Sequence, residues 1–102
     1  MPAKRAVIMH PMDNVATVVE EIQPGEEVGA ILGSDVVTLR AVEVIPFGFK
    51  ISLTEIREGE LIRKYGEPIG KANSTIPQGA MVHIHNLEGI RARGDLAERS
   101  HR

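Results

Sequence analysis

Ile22-Gln23-Pro24-Gly25-Glu26-Glu27-Val28, "IQPGEEV", has the form I-x-x-G-x-x-[VI], and the chain uses that form repeatedly. It returns as Ile45-Pro46-Phe47-Gly48-Phe49-Lys50-Ile51, as Ile56-Arg57-Glu58-Gly59-Glu60-Leu61-Ile62 and as Ile76-Pro77-Gln78-Gly79-Ala80-Met81-Val82. Each copy reads the same way. An apolar residue ends one buried stretch, a turn reverses the chain, and another apolar residue opens the next stretch. Glycine takes the place that needs positive φ, and proline, where present, presets φ as the turn begins. The intervals are uneven, which argues against a solenoid. One turn device is used four times.

Between these turns the pattern is that of strands. Alternation and β-branching mark 5–9, 14–22, 28–32, 36–44, 49–53, 60–65, 69–73 and 81–85. "VATVVEEI" has a composition a helix would tolerate, but turn signals bound it and valine dominates it, so strand is the better reading. Thr54-Glu55-Ile56 is expected to form at most one helical turn, capped by Thr54. No segment has the length and apolar stripe of a longer helix. The expectation is an all-β domain of short strands over residues 1–88. A polar tail follows at 89–102, expected to be loose unless a partner orders it.

The bulk composition narrows the function classes. A chain of 102 residues supports one domain with one modest core. Hydrophobic residues make up 42% but aromatics only 3%, so the core must be aliphatic, and stacking platforms for single-stranded nucleic acid are lacking. A net charge of -2 provides no global field for phosphates. Without cysteine there is no disulfide, thiolate nucleophile or cysteine-ligated zinc. The apolar run before His10 is too short for a signal-peptide core or a membrane span, so the expected location is cytoplasmic, with no membrane or nucleic-acid partner.

Three stretches carry candidate chemistry. In Val82-His83-Ile84-His85-Asn86 the two histidines stand at i and i+2. On a strand these share a face, with Cα atoms about 6.6 Å apart, while the valine and isoleucine turn to the core. Such a pair suits two metal ligands, with His10 the intrachain candidate for a third. It suits equally a substrate-facing or partner-facing edge, or a plain solvated one. In His10-Pro11-Met12-Asp13-Asn14 the proline, aspartate and asparagine are ordinary turn residues; alternatively the turn displays His10 and Asp13 as an imidazole and carboxylate that share a proton. In "RKYGEPIGKA", Gly66 and Gly70 permit close backbone approach, and Lys64 has the charge to hold an anionic substrate. Tyr65, the only tyrosine, offers a hydroxyl. Lys71 reads as an ordinary surface lysine.

In this order and at these separations, "HPMDN", "KYGEPIG" and "VHIHN", together with the repeated turns, resemble the amino-terminal domain of the altronate and galactarate dehydratase family over residues 5–88. The resemblance implies an SAF domain with a β-clip fold. In those dehydratases a much larger catalytic region follows, so the chain is similar to the separately encoded small subunit of split members, the sulfolactate sulfo-lyases included. It implies a subunit with little activity alone, whose partner is a large catalytic subunit and whose substrate is a sugar acid. The alternatives are a sulfo-lyase subunit and a stand-alone carbohydrate-binding module; the isolated chain could also self-associate. By the same resemblance His10, Asp13, Tyr65 and His85 are expected to be catalytic, and Asn14, Lys64, Gly66 and Asn86 to contact substrate. A divalent metal, Fe2+ or Mn2+ with Zn2+ as an alternative, would be held by His83, His85 and His10 or mainly by the large subunit.

Overall fold

The computed structural model describes residues 3–89. Nine short strands and no helix are found there: β1 (Lys4–Val7), β2 (Val15–Val18), β3 (Glu27–Leu32), β4 (Asp35–Arg40), β5 (Lys50–Ser52), β6 (Leu61–Lys64), β7 (Glu67–Ala72), β8 (Met81–Val82) and β9 (Leu87–Glu88). The all-β expectation is met; the helical turn at Thr54 is not, because Ile56 there bridges to Ile76 in extended form. Of the expected tail only Gly89 falls within the described residues. No described helix is long and apolar enough to cross a membrane.

The four I-x-x-G turns organise everything else. In each, a backbone bond closes a four-residue turn: Glu26 N–H donates to Gln23 O, Phe49 to Pro46, Glu60 to Arg57 and Ala80 to Pro77. The glycines Gly25, Gly48, Gly59 and Gly79 adopt φ of 85°, 86°, 90° and 86°, which is the third position of a type II turn. The turns then pair through their isoleucines. Ile22 and Ile45 exchange both backbone bonds at 2.9 Å, as Ile56 and Ile76 do at 2.8 and 2.7 Å. All four side chains are buried.

This pairing reveals a duplication that the uneven spacing had hidden. After Ile22 the chain turns, runs out and back as the β3–β4 hairpin, and returns at Ile45. After Ile56 it repeats the path through the β6–β7 hairpin and returns at Ile76. Equivalent bonds recur: Gly25 N–H to Ala41 O and Gly59 N–H to Ala72 O, both 2.8 Å. Each unit has its own core. The first gathers Ala6, Val18, Ile22, Val28, Ile45 and Ile51; the second gathers Val15, Ile56, Ile62, Ile76 and Val82.

A six-stranded sheet in the order β4-β3-β1-β2-β5-β8 backs the first core, and a three-stranded sheet, β6-β7-β9, closes the second. Strands end earlier than alternation alone indicates. β2 stops at Val18 and β4 at Arg40, and a two-residue bend at Val19-Glu20 or Val42-Glu43 precedes the next turn. The bends redirect the chain so that each isoleucine meets its partner instead of extending a strand.

Gly79 joins the two units. Its N–H donates to Ser52 O and its carbonyl accepts from Val42 N–H. A Cβ there would lie 2.0 Å from Arg40 O, whereas one on Gly33 would meet nothing within 4 Å. Overpacking against backbone adds to the positive-φ penalty, so Gly79→Ala should lose about 3 kcal/mol or more, and Gly33→Ala about 1–2 kcal/mol. In thermal unfolding this means a midpoint lower by roughly 12–24 °C or more against roughly 4–16 °C. Equal losses would show that the close approach at Gly79 carries no weight.

Candidate functional site

The β6–β7 hairpin turns on Tyr65-Gly66, with φ of 59° and 76°. Positive φ at both central positions is the type I′ turn that matches strand twist. Tyrosine is a poor occupant of that region, at a cost of about 1–2 kcal/mol. The compensation comes from far away in sequence. Asp13, buried to 9% exposure, accepts the Tyr65 N–H at one carboxylate oxygen (3.0 Å) and the Gly66 N–H at the other (2.8 Å). The side chain of Tyr65 is thereby held outward, 62% exposed, with the Lys64 ammonium 5.1 Å from its ring centre.

His10 completes this corner. Its ring lies over Gly66 so closely that a Cβ on that glycine would come within 2.8 Å of His10 Cγ. Nδ1 accepts the Met12 N–H at 3.1 Å, which leaves the proton of the neutral ring on Nε2. His10 and Asp13 therefore do not share a proton; each is engaged with backbone. Asn14 ties the same loop to β6, donating to Leu61 O and accepting from Arg63 N–H at 2.9 and 2.8 Å. The "HPMDN" and "KYGEPIG" stretches thus meet, as expected. Asp13 and Asn14 act as positioning residues, with His10, Lys64 and Tyr65 displayed around them.

The "VHIHN" stretch departs from expectation. β8 ends at Val82, and His83 to Asn86 form a turn, closed by Asn86 N–H and Leu87 N–H donating to His83 O. Asn86 is buried inside it, accepting from His83 N–H and donating to Met81 O, both at 2.9 Å. The strand breaks because this asparagine supplies the bonds that a neighbouring strand would. Ile84 is consequently 79% exposed instead of pointing to the core. The histidines share no strand face. His83 packs its ring on Phe49, centroids 4.6 Å apart, while His85 is exposed and its carbonyl accepts from Asn73 Nδ2.

These positions separate the three imidazoles. His10 lies over Gly66 before β7 begins, and His85 lies beside Asn73 after β7 ends. Six extended residues span roughly 20 Å. Among the described residues no three of histidine, cysteine, aspartate and glutamate gather to hold a metal. The expected ligand set His10, His83 and His85 is therefore corrected: the fold holds these three side chains apart.

Two further features lay outside the sequence reading. Lys64, Tyr65, Glu67, Pro68 and Ile69 line an open cleft of about 400 Å³. Its wall exists because β7 carries one extra residue, Ile69, between the partners of Ile62 and Arg63. Ser52, on what alternation marks as the outer face of β5, is fully buried, its hydroxyl donating to Pro77 O at 2.6 Å. The face is inner because the second core packs on it. Only the duplication could have signalled this.

Comparison with known proteins adds the following. Residues 4–89 match the altronate/galactarate dehydratase SAF domain. Over 85 residues the chain is 37% identical to an altronate dehydratase of Bacillus subtilis (strain 168), a match covering 83% of this chain and 16% of that protein. Over 78 residues it is 40% identical to an altronate dehydratase of Escherichia coli (strain K12), covering 76% and 15%. Over 85 residues it is 29% identical to the (2R)-sulfolactate sulfo-lyase subunit alpha of Chromohalobacter salexigens, covering 79% of this chain and 90% of that one. The chain thus spans about a sixth of the dehydratases and most of the sulfo-lyase subunit.

Replacing Asp13 with asparagine should leave one of the two turn amides facing an N–H instead of an acceptor. The expected loss is about 1–3 kcal/mol in urea unfolding, with faster amide exchange at Tyr65 and Gly66. Unchanged exchange there would remove Asp13 from its positioning role. Gly66→Ala should be destabilising partly through His10, so adding His10→Ala should recover some of the loss; strictly additive losses would contradict that coupling.

Proposed function

The chain belongs to the altronate/galactarate dehydratase SAF domain family, and from that premise we propose that it is a small, non-autonomous lyase subunit. In this reading it lends cleft residues to a separate large catalytic subunit that dehydrates a sugar acid. The observation that carries it is the pairing of a whole-domain match to dehydratases with a 90% span of a named sulfo-lyase alpha subunit. The corner built on Asp13 supports it: a strained turn, clamped from a distant loop, displays a tyrosine beside a lysine at an open cleft.

Elimination next to a carboxylate transfers the adjacent C–H proton to a base, which the large subunit would supply, develops negative charge on that carboxylate and needs an acid for the leaving group. Lys64 would neutralise the former, and the Tyr65 hydroxyl would sit where a leaving oxygen is protonated. His10, with its Nε2 proton, stands next to the same turn. A divalent metal would supply Lewis acidity and would be held mainly by the large subunit. Matches of 37–40% identity over 78–85 residues support the sugar-acid reading, although a sulfo-lyase subunit alpha reaches 40% over 50 residues. Coverage of the sulfo-lyase subunit favours a second reading in which sulfite is the leaving group.

Purified alone, the chain should show negligible dehydration of altronate or galactarate. Combined with a large subunit of the family it should associate and turn over, and assaying sulfite release in parallel separates the two leaving groups. Strong activity from the isolated chain, or failure of the pair to associate, would refute the proposal. In the reconstituted pair Tyr65→Phe should lower kcat by about 10²-fold or more with little change in stability.

A further inference from the structure

Lys50 lies in β5 opposite Thr17 of β2 and Val82 of β8. Alternation puts it on the face of Ser52, which is fully buried against the second core. Lys64 follows Ile62 by two residues in β6, and because the extra residue of the irregularity between Ile62 and Arg63 lies in β7, alternation along β6 keeps Lys64 on the side of that same core. Two lysines from distant segments thus reach one rim of the second core. Neither has an ion-pair partner among the described residues. Glu67, the carboxylate lining the adjoining cleft, is exposed and pairs with neither.

The rim combines two positive charges with a hydroxyl that has no hydrogen-bond partner among the described residues. Burial, and after it the Lys64 ammonium, push the Lys50 ammonium below the usual lysine range. On the strand next to Lys50, the Thr17 hydroxyl is shielded from solvent and is the sole buried side-chain polar atom without a hydrogen-bond partner among the described residues. Nearly all such groups in folded proteins are satisfied. Phe49, just before Lys50, carries the His83 ring, and Lys64 stands over Tyr65.

We propose that Lys50 and Lys64 form a seat for a small organic oxyanion, a carboxylate or sulfonate, with the Thr17 hydroxyl as an additional donor. An anion there makes charge-assisted bonds to both ammonium groups and removes the repulsion between them. The identity of that anion as the substrate's acid group rests on the lyase reading; the binding itself is a property of this chain. Burial disfavours the Lys50 ammonium, and a bound anion would offset that cost.

The test uses the full chain with 13C-labelled lysine, titrated by NMR with sulfate and with D-glycerate. Lys50 should titrate below the other lysines, and either anion should raise its titration point. Lys64→Met should return Lys50 toward the ordinary range and weaken binding by about tenfold. The unfolded chain holds the Lys50 proton more tightly than the folded one, so wild-type stability should rise as pH climbs toward the ordinary lysine range. Lys50→Met should flatten that rise, be more stable at neutral pH, and bind neither anion. If the anions leave both lysines unmoved, or Lys50→Met binds like the wild type, the seat is wrong. Assembly with a large subunit without anion binding would sink the seat and leave the subunit reading intact; anion binding without assembly would do the reverse.

Discussion

Two backbone bridges, Ile22 to Ile45 and Ile56 to Ile76, hold the molecule in shape. Each joins the starts of two type II turns, and each isoleucine side chain then fills the middle of a core whose buried members are all aliphatic. A domain this small buries limited apolar area, and its strands are two to six residues long. Cooperative stability cannot come from long ladders. It comes from fixing where the chain reverses, so that many short strands land in register. The glycines make the reversals possible, and the isoleucines make them pair.

A second constraint is layered on that frame. Because the two units are equivalent, each offers a hairpin, and their turns differ in a telling way. The β3–β4 hairpin turns on Gly33-Ser34, where glycine alone takes positive φ. The β6–β7 hairpin turns on Tyr65-Gly66 and sets a bulky side chain in the left-handed region. Nothing in the packing demands a tyrosine there. A buried aspartate from another loop holds the strained turn by two charge-assisted bonds, and a histidine ring covers its glycine. Strain maintained by distant groups at an exposed residue is the observation that supports the proposed role of Tyr65. The proposed seat at Lys50 and Lys64 follows the same logic, since charge near a core weakens the fold unless something binds it.

The parts of the site that were legible in the sequence are those set by local chemistry. "HPMDN" reads as a turn, "KYG" as an irregular glycine connection, and both contribute to one corner. The i, i+2 pattern of His83 and His85 misled because periodicity assumes that the strand continues. Asn86, three residues beyond His83, folds back to bond it and ends the strand. Lys50 is illegible in the sequence for the converse reason. In "FKISL" a lysine and a serine on one face look solvated, and nothing local shows that a second core will pack upon them.

The sequence by itself determined the reversals, because a type II turn needs glycine at one place and the need is met within four residues. It determined the all-β class for the same reason, since apolar residues between close-set turns have room only for short extended segments. Tertiary structure alone decided which turns pair, which face of β5 is inside, and which histidines stand apart. Those outcomes depend on contacts between residues tens of positions apart, such as Asp13 with Tyr65, whose energies are settled only when the two units close on each other.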